Sequence, residues 1–200
     1  MNKILTLITI VIFTSKGLSQ TAEDYFNQGM AKYQLQQYEE AVIALTKSIN
    51  IEPRYENYYH RGHAKFFLQD YRGAIADYTI ALELNPNDEM SLYNRGYAKY
   101  NLKDYNGAIE DLTKFIEINP QNSMAFSFRA MAYLNLNDYR KALNDCDKSI
   151  SIDPNNANAF YTKGVTLMAM RFLEDACMMF SKAGELGSTE AYKMIKLYCK

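Results

Sequence analysis

Residues 58–86 read YYHRGHAKFFLQDYRGAIADYTIALELNP, and this stretch recurs twice further along the chain. Residues 93–120 (YNRGYAKYNLKDYNGAIEDLTKFIEINP) and residues 126–154 (FSFRAMAYLNLNDYRKALNDCDKSISIDP) keep the same order of aromatic, small and charged residues. The four prolines of the chain are Pro53, Pro86, Pro120 and Pro154, so their spacing is almost constant. Self-similarity at a period of roughly 34 residues indicates a solenoid in which each unit packs against its neighbours.

Each unit is predicted to form two helices joined by a short link. In its first half, small residues such as Gly62 and Ala64 share a helix face with large residues beside them. After the link, which reads LQDY at residues 68–71, Ala74 begins a second apolar stripe. Small residues at fixed positions let two helices approach closely. The closing proline ends the second helix because it lacks a backbone donor.

The pattern resembles the tetratricopeptide repeat (TPR). The matching residues of the second unit are Tyr58, Gly62, Tyr71, Ala74, Ala81 and Pro86. Flanking copies extend the register over residues 22–188, with Ser188 where the fifth unit would have proline. The resemblance implies an all-α fold, a right-handed superhelical solenoid of five helix-turn-helix repeats. The expected repeats span about residues 22–54, 55–88, 89–122, 123–156 and 157–188, and residues 189–200 are expected to form a capping helix.

Residues 1–19 break the repeat pattern and are typical of an export signal. A positively charged start at Lys3 precedes an apolar run over residues 4–13, and small residues follow at Gly17 and Ser19. This run is about half of the roughly 20 residues that a membrane-spanning helix needs, so a secretory signal peptide is predicted. Cleavage is expected after Ser19, with cleavage after Gln20 or an uncleaved anchor as alternatives. The mature protein is expected in the periplasm, at the cell envelope or secreted, without membrane insertion.

Composition and motifs narrow the class of function. The chain has 22 basic and 23 acidic residues and a formal net charge of -1, so no basic excess indicates binding to nucleic acid. The sequence has neither a Gly-rich phosphate loop with its basic residue nor a Gly-x-Ser-x-Gly elbow. Carboxylates recur at equivalent positions of successive units, whereas an active site is needed once. We therefore predict neither an enzyme nor a cofactor.

The recurring carboxylates predict ion pairs between neighbouring repeats. The expected pairs are Asp77–Arg95, Asp111–Arg129 and Asp145–Lys163. If such pairs are exposed, each contributes less than about 1 kcal/mol, so they would set the register of the repeats more than their stability.

The resemblance implies a concave groove formed by the first helix of each repeat. The protein-binding residues that it implies are Phe26, Met30, Tyr59, His60, His63, Tyr93, Asn94, Tyr97, Asn101, Met131 and Tyr161. Aromatic and methionine side chains supply adaptable contact area, and amides such as Asn135 can bind a peptide backbone. An alternative for part of this stripe, above all Tyr33, Phe66 and Tyr100, is packing between helices.

These observations predict a non-catalytic module that binds a partner protein or an extended peptide in the groove. The alternative is a structural scaffold of an envelope assembly that acts through convex or terminal surfaces. One specialised TPR site, a clamp that holds a terminal carboxylate with lysines and asparagines, is not expected. Phe26 and Met30 occupy its positions in the first repeat, and Met124 and Phe128 replace its basic pair in the frame that starts at the second.

The two histidines of the chain, His60 and His63, share a helix face with Glu56. Two histidines and one carboxylate on a single helix are an incomplete set of ligands, so no metal site is predicted. The expected role of the histidines is in the groove, where protonation near pH 6 to 7 would tune binding.

The three cysteines differ in their expected roles. Cys146 stands where sibling repeats have Tyr78 or Leu112, which indicates a buried apolar residue. If the last repeat helix and the capping helix run antiparallel, Cys177 and Cys199 lie side by side. Export permits a disulfide, so this pair is predicted to be bonded, with two free thiols as the alternative.

Overall fold

The computed structural model describes residues 20–199, and this part of the chain contains eleven α-helices and no strand. In chain order the helices are α1 (Ala22–Gln34), α2 (Tyr38–Ile51), α3 (Tyr55–Phe67), α4 (Tyr71–Leu84), α5 (Glu89–Asn101), α6 (Tyr105–Ile118), α7 (Ser123–Asn135), α8 (Tyr139–Ile152), α9 (Ala157–Ala169), α10 (Leu173–Glu185) and α11 (Thr189–Tyr198). The predicted signal peptide, residues 1–19, lies outside the described residues. Within residues 20–199 no helix is long and apolar enough to cross a membrane.

Consecutive helices pack against each other along the whole series, from α1 on α2 to α10 on α11. The odd-numbered helices α1, α3, α5, α7 and α9 also contact one another in order, so they form one continuous layer. The prediction of an all-α helix-turn-helix solenoid is confirmed.

The short links between the two helices of a repeat have a common local cause. In repeats two to four an aspartate caps the second helix, and in the second repeat the Asp70 carboxylate accepts a hydrogen bond from the Gly73 backbone at 2.9 Å. The residue before this cap, Gln69, has a φ of 61°. Asp104 and Asp138 cap α6 and α8 in the same way. Such a cap stabilises a helix by about 1 kcal/mol, which explains the aspartate at these three links.

Small residues allow the two helices of a repeat to touch. A methyl group added at Gly164 would lie 2.6 Å from the Phe180 ring, which is fully buried. At Gly62 it would lie 3.1 Å from Tyr78, also fully buried. Small residues at this position therefore permit close helix packing, and the contact is tightest at Gly164.

The predicted ion pairs between repeats are wrong. Each aspartate binds the arginine of its own repeat through two nitrogens. The pairs are Arg61–Asp77, Arg95–Asp111 and Arg129–Asp145, with closest N···O distances of 2.6, 2.7 and 2.7 Å. The aspartates are buried, so loss of one partner would leave an uncompensated charge out of water.

Neighbouring repeats are linked by the remaining nitrogen of the same arginines. Arg95 Nη1 donates to Thr79 Oγ1 of the preceding repeat at 3.2 Å, and Arg129 Nη1 donates to Thr113 Oγ1 at 3.0 Å. In the last repeat the pattern changes, because Lys163 binds Asp147 rather than Asp145.

The last helix, α11, closes the end of the solenoid. A disulfide joins Cys177 of α10 to Cys199, which directly follows α11, the same pair that the antiparallel arrangement suggests. Ala191 of α11 is buried, and Ile195 packs against the core that α10 forms. Cys146 is a buried free thiol, and burial raises its pKa to about 12.

Candidate protein-binding surface

The layer of odd-numbered helices carries all eleven residues that the TPR resemblance assigns to a concave groove. Phe26 and Met30 lie on α1, while His60 and His63 lie on α3 beside Tyr59. The remaining six lie on α5, α7 and α9, and they are Tyr93, Asn94, Tyr97, Asn101, Met131 and Tyr161. Every one of the eleven is half-buried, so each has both a packed and an accessible part.

Over the first three repeats, the aromatic side chains of this layer pack on one another. We call this region the closed half; it comprises Phe26, Tyr33, Tyr59, His60, His63, Phe66, Phe67 and Tyr97. The Tyr33 hydroxyl lies 3.0 Å from His63 Nδ1, and the rings of Phe66 and Tyr97 have centroids 5.1 Å apart. Tyr97 continues the series onto Phe128 at 4.4 Å. Packing between helices thus describes Tyr33 and Phe66 better than contact with a ligand.

The histidines of the closed half lie among these rings. His60 packs edge-on against Phe26, and His63 stacks on Tyr33. Burial, together with the neighbouring His60, lowers the pKa of His63 to about 4. Burial also lowers the pKa of His60. The expectation that His63 titrates near pH 6 to 7 is therefore wrong, since this side chain is neutral there.

Over the last three repeats, the same layer opens into a pocket of about 410 Å³. We call this region the open half. Its lining residues are Tyr100, Met131, Leu134, Asn135, Asn137, Tyr161, Thr162 and Val165. None of these side chains carries a formal charge, and α5, α7 and α9 each contribute to the walls. The pocket can therefore bury an apolar side chain without removing a protein charge from water.

Three family models described as tetratricopeptide repeat match residues 22–55, 59–123 and 123–156. The chain belongs to the tetratricopeptide repeat family. No curated protein matches it in sequence.

Solved TPR-type structures share the fold. MamA from Desulfovibrio magneticus RS-1 is 24% identical, with a TM-score of 0.80, over 84% of this chain and 96% of that chain. YrrB, whose structure is described as a TPR protein with an unusual peptide-binding site, is 23% identical, with a TM-score of 0.75, over 88% of this chain and 92% of that chain. Because both sequence identities are below 25%, the likeness shows that the fold is shared and nothing more.

The amides of the TPR concave face are partly engaged by the protein itself. Asn94 donates to the Tyr59 hydroxyl at 3.3 Å, and Asn101 donates to the Tyr97 carbonyl at 2.9 Å. Asn135, on the edge of the pocket, donates to the Met131 carbonyl at 2.8 Å. Its side-chain carbonyl oxygen accepts no hydrogen bond from the described residues, so it can accept one from a peptide N–H.

Two lining residues of the pocket do not follow from the sequence argument. Asn137 stands in the link between α7 and α8, a segment that the repeat pattern assigns to a turn. Thr162 occupies in the fifth repeat the position that Asn94 holds in the third, and this equivalence could have identified it.

Within residues 20–199, no three His, Cys, Asp or Glu side chains lie close enough to hold a metal ion. The positions that a carboxylate clamp would fill with a basic pair are Met124, which is exposed, and Phe128, which is buried against Tyr97.

Proposed function

We propose that this TPR protein is a non-catalytic interaction module that binds an extended, largely uncharged peptide segment of a partner protein at its open half. The observation that carries the proposal is the pocket of about 410 Å³ between α5, α7 and α9, whose lining is apolar or amide in character. The peptide-binding site named in the description of YrrB supports a peptide as the class of ligand.

The lining determines how the peptide is held. Burial of one aliphatic side chain between Met131, Val165 and Tyr161 contributes roughly 1.5 to 3 kcal/mol. The free carbonyl oxygen of Asn135 accepts a backbone N–H and orients the peptide along the groove. Asn137 Oδ1 already accepts from the Tyr139 hydroxyl at 2.9 Å, so Asn135 is the better acceptor.

The same lining determines what is rejected. A lysine or glutamate side chain in this pocket would lose hydration without gaining an opposite charge. A terminal carboxylate is disfavoured for the same reason. The selected class is therefore an apolar residue in an uncharged stretch.

We further propose that the protein works outside the cytoplasm, in the periplasm, at the cell envelope or as a secreted protein. Residues 1–19 have the pattern of a secretory signal, and disulfides such as Cys177–Cys199 persist in oxidising compartments. Intact-mass and N-terminal analysis of the protein from its native host tests this. Mature protein beginning at Gln20 or Thr21 in an extracytoplasmic fraction is the expected result, and full-length protein in the cytosol contradicts it.

The binding proposal is tested by selecting peptides from a random displayed library on the wild-type chain. Met131→Glu places a charge in the pocket, and Met30→Glu places one at the equivalent position of the first repeat. Selected peptides should share an apolar residue, lose at least about tenfold in affinity for Met131→Glu and keep it for Met30→Glu.

The contrary outcomes are equally specific. Peptides that bind wild type and Met131→Glu alike, while both proteins keep their helical circular dichroism, would place the function on another surface. The scaffold that acts through convex or terminal surfaces would then be the better description.

A further inference from the structure

One edge of the solenoid carries a row of exposed apolar side chains. It is the edge where the second helix of one repeat ends and the first helix of the next begins. The exposed members of the row are Ile51 (54%), Leu84 (51%), Met90 (50%), Ile118 (44%) and Met124 (37%). Between Met90 and Ile118 the row opens into a cleft of about 520 Å³, with buried Phe115 at its base and Pro120 on its rim.

The charges along this edge have one dominant sign. Segments 51–56, 83–90 and 117–124 contain six acidic residues and one basic residue, Arg54. Arg54 is already bound to Glu23 at 3.1 Å and to Glu52 at 3.2 Å. Glu89 lines the cleft, Asp88 and Glu117 directly precede the lining residues Glu89 and Ile118 in sequence, and Glu83 lies in the last turn of α4. Among the described residues, none of these four has an ion-pair partner within 4 Å.

Local helix stability accounts for only part of this charge. Asp88 caps α5 and Glu89 lies in its first turn, where carboxylates are favourable. Glu83 and Glu117 lie in the last turns of α4 and α6, where the helix dipole disfavours a negative charge. Neither last turn contains a basic residue. Both glutamates are therefore unfavourable to the dipoles of their own helices. Glu117 also interacts with the Arg129 guanidinium, whose pKa, despite its burial, is raised by Asp145, Tyr133 and Glu117.

The opposite edge shows that apolar exposure alone is not the distinguishing feature. Leu102 and Leu136 are each 40% exposed there. Their surroundings carry both signs, since Lys103 is close in sequence to Leu102, and Lys141 binds Asp138 at 2.9 Å. The edge with the cleft combines exposed apolar side chains with a predominantly negative rim.

We propose that this acidic edge binds a basic amphipathic segment of a partner protein. An apolar side chain of that segment enters the cleft between Met90 and Ile118, and its lysine or arginine side chains reach Glu83 and Glu117. Oppositely charged rims steer association and fix the register of an apolar contact. This surface is separate from the pocket of the open half, so the inference is independent of the proposed function.

The test uses the full chain and a fluorescein-labelled synthetic peptide of lysine and leucine with amphipathic helical spacing, read by anisotropy. An otherwise identical peptide of glutamate and leucine is the charge control. The Glu83→Lys/Glu117→Lys variant should lose at least about tenfold in affinity for the lysine peptide. Lysine is favourable at a helix C-terminus, but Glu117→Lys removes a negative charge near Arg129, so urea unfolding of the variant checks that the loss of affinity does not come from unfolding.

Three further comparisons locate the contact. Met90→Ser/Ile118→Ser should also lose about tenfold, whereas Leu102→Ser/Leu136→Ser on the opposite edge and Met131→Glu in the pocket should stay within about twofold. The proposal is overturned if Leu102→Ser/Leu136→Ser loses as much affinity as Met90→Ser/Ile118→Ser, or if the glutamate peptide binds as tightly as the lysine peptide. It is also overturned if Met131→Glu alone abolishes binding. The last result would place the probe in the concave pocket instead.

Discussion

In the closed half and in the open half, equivalent repeat positions have different roles: they pack against other rings in the first and line a pocket in the second. One position, directly after the small residue of the first helix, is held in repeats one to five by Met30, His63, Tyr97, Met131 and Val165. In the closed half, His63 and Tyr97 contact other rings on both sides. In the open half, Met131 and Val165 leave a pocket. The backbone pattern thus builds the groove, and the side-chain volumes at variable positions decide which part of it is free for a ligand.

Buried ion pairs lie behind both halves, since Asp145 binds Arg129 as Asp111 binds Arg95, whereas the last repeat has an exposed pair. The largest expected effect concerns this difference between buried and exposed pairs. Asp111, behind the closed half, has a 1% exposed side chain and binds Arg95 and Lys99 at 2.7 and 2.8 Å. Asp111→Ala leaves both cations without their partner and should cost about 3 to 4 kcal/mol. Asp147, which binds Lys163 beside the open half, is 61% exposed, so Asp147→Ala should cost less than about 1 kcal/mol.

Urea unfolding of both variants measures this contrast. Equal losses for Asp111→Ala and Asp147→Ala would show that burial of an ion pair does not determine its contribution to stability.

The second effect concerns the cap behind the open half. The Cys177–Cys199 disulfide closes a loop with a sequence separation of 22 residues. Loss of a cross-link of this size should lower the free energy of unfolding by roughly 3 kcal/mol. We expect Cys199→Ala to show this loss by chemical denaturation, with exposure of α10 to hydrogen exchange.

Reductant provides the control for the cap. It should lower the stability of the wild type towards that of Cys199→Ala and leave the variant unchanged. A wild type whose stability is insensitive to reductant would contradict a stabilising role for this disulfide.

The third effect is a pH dependence confined to the closed half. Because the pKa of His63 falls from 6.5 to about 4 on folding, the unfolded chain binds more protons between these values. This contribution to stability is complete above pH 6.5 and is lost as the pH falls towards 4. The loss is on the order of 2 kcal/mol.

His63→Phe should therefore lose less stability than wild type between pH 7 and pH 4, as measured by urea unfolding at each pH. Peptide binding at the open half should change little between pH 7 and pH 5, because no residue of its lining titrates there. A wild type and a variant with parallel stability profiles would show that His63 is not buried in solution.

The smallest effect concerns the amides of the two halves. Asn135→Ala removes the acceptor on the pocket edge and should weaken a selected peptide about three- to tenfold, because a hydrogen bond contributes roughly 1 kcal/mol. Asn101→Ala, at the equivalent position of the third repeat and outside the pocket lining, should leave affinity unchanged. Calorimetric titration of both variants distinguishes these outcomes, and an equal loss in both would remove the reason to place the peptide over Asn135.

The fold was predictable from residue types that recur at equivalent positions of most units. Gly62 and Ala74 occupy positions where two helices must touch, and Asp70 caps a helix whose start the link determines. Such constraints act within one repeat and are therefore visible in the sequence. The disulfide partner of Cys177 also follows from helix length and direction alone.

Contacts that depend on the choice between equivalent partners were not predictable. Arg61 precedes Asp77 by about half a repeat, and Arg95 follows it by about half a repeat, so the two candidates are nearly equal in sequence. In the structure, Asp77 binds Arg61 of its own repeat through both carboxylate oxygens, and not Arg95. The pocket is hidden for a related reason, since the volumes of three neighbouring helices must be compared at once.

The central claim is that a peptide binds the open half and not the closed half, and the methionines of the chain report on it directly. Met30 and Met131 occupy the same repeat position in the closed and open halves. Their methyl resonances can be recorded in protein labelled with ¹³C-methyl methionine and assigned with Met30→Leu and Met131→Leu. Addition of a selected peptide should shift the Met131 resonance and leave Met30 unchanged. A shift of Met30 with an unperturbed Met131 would contradict the account.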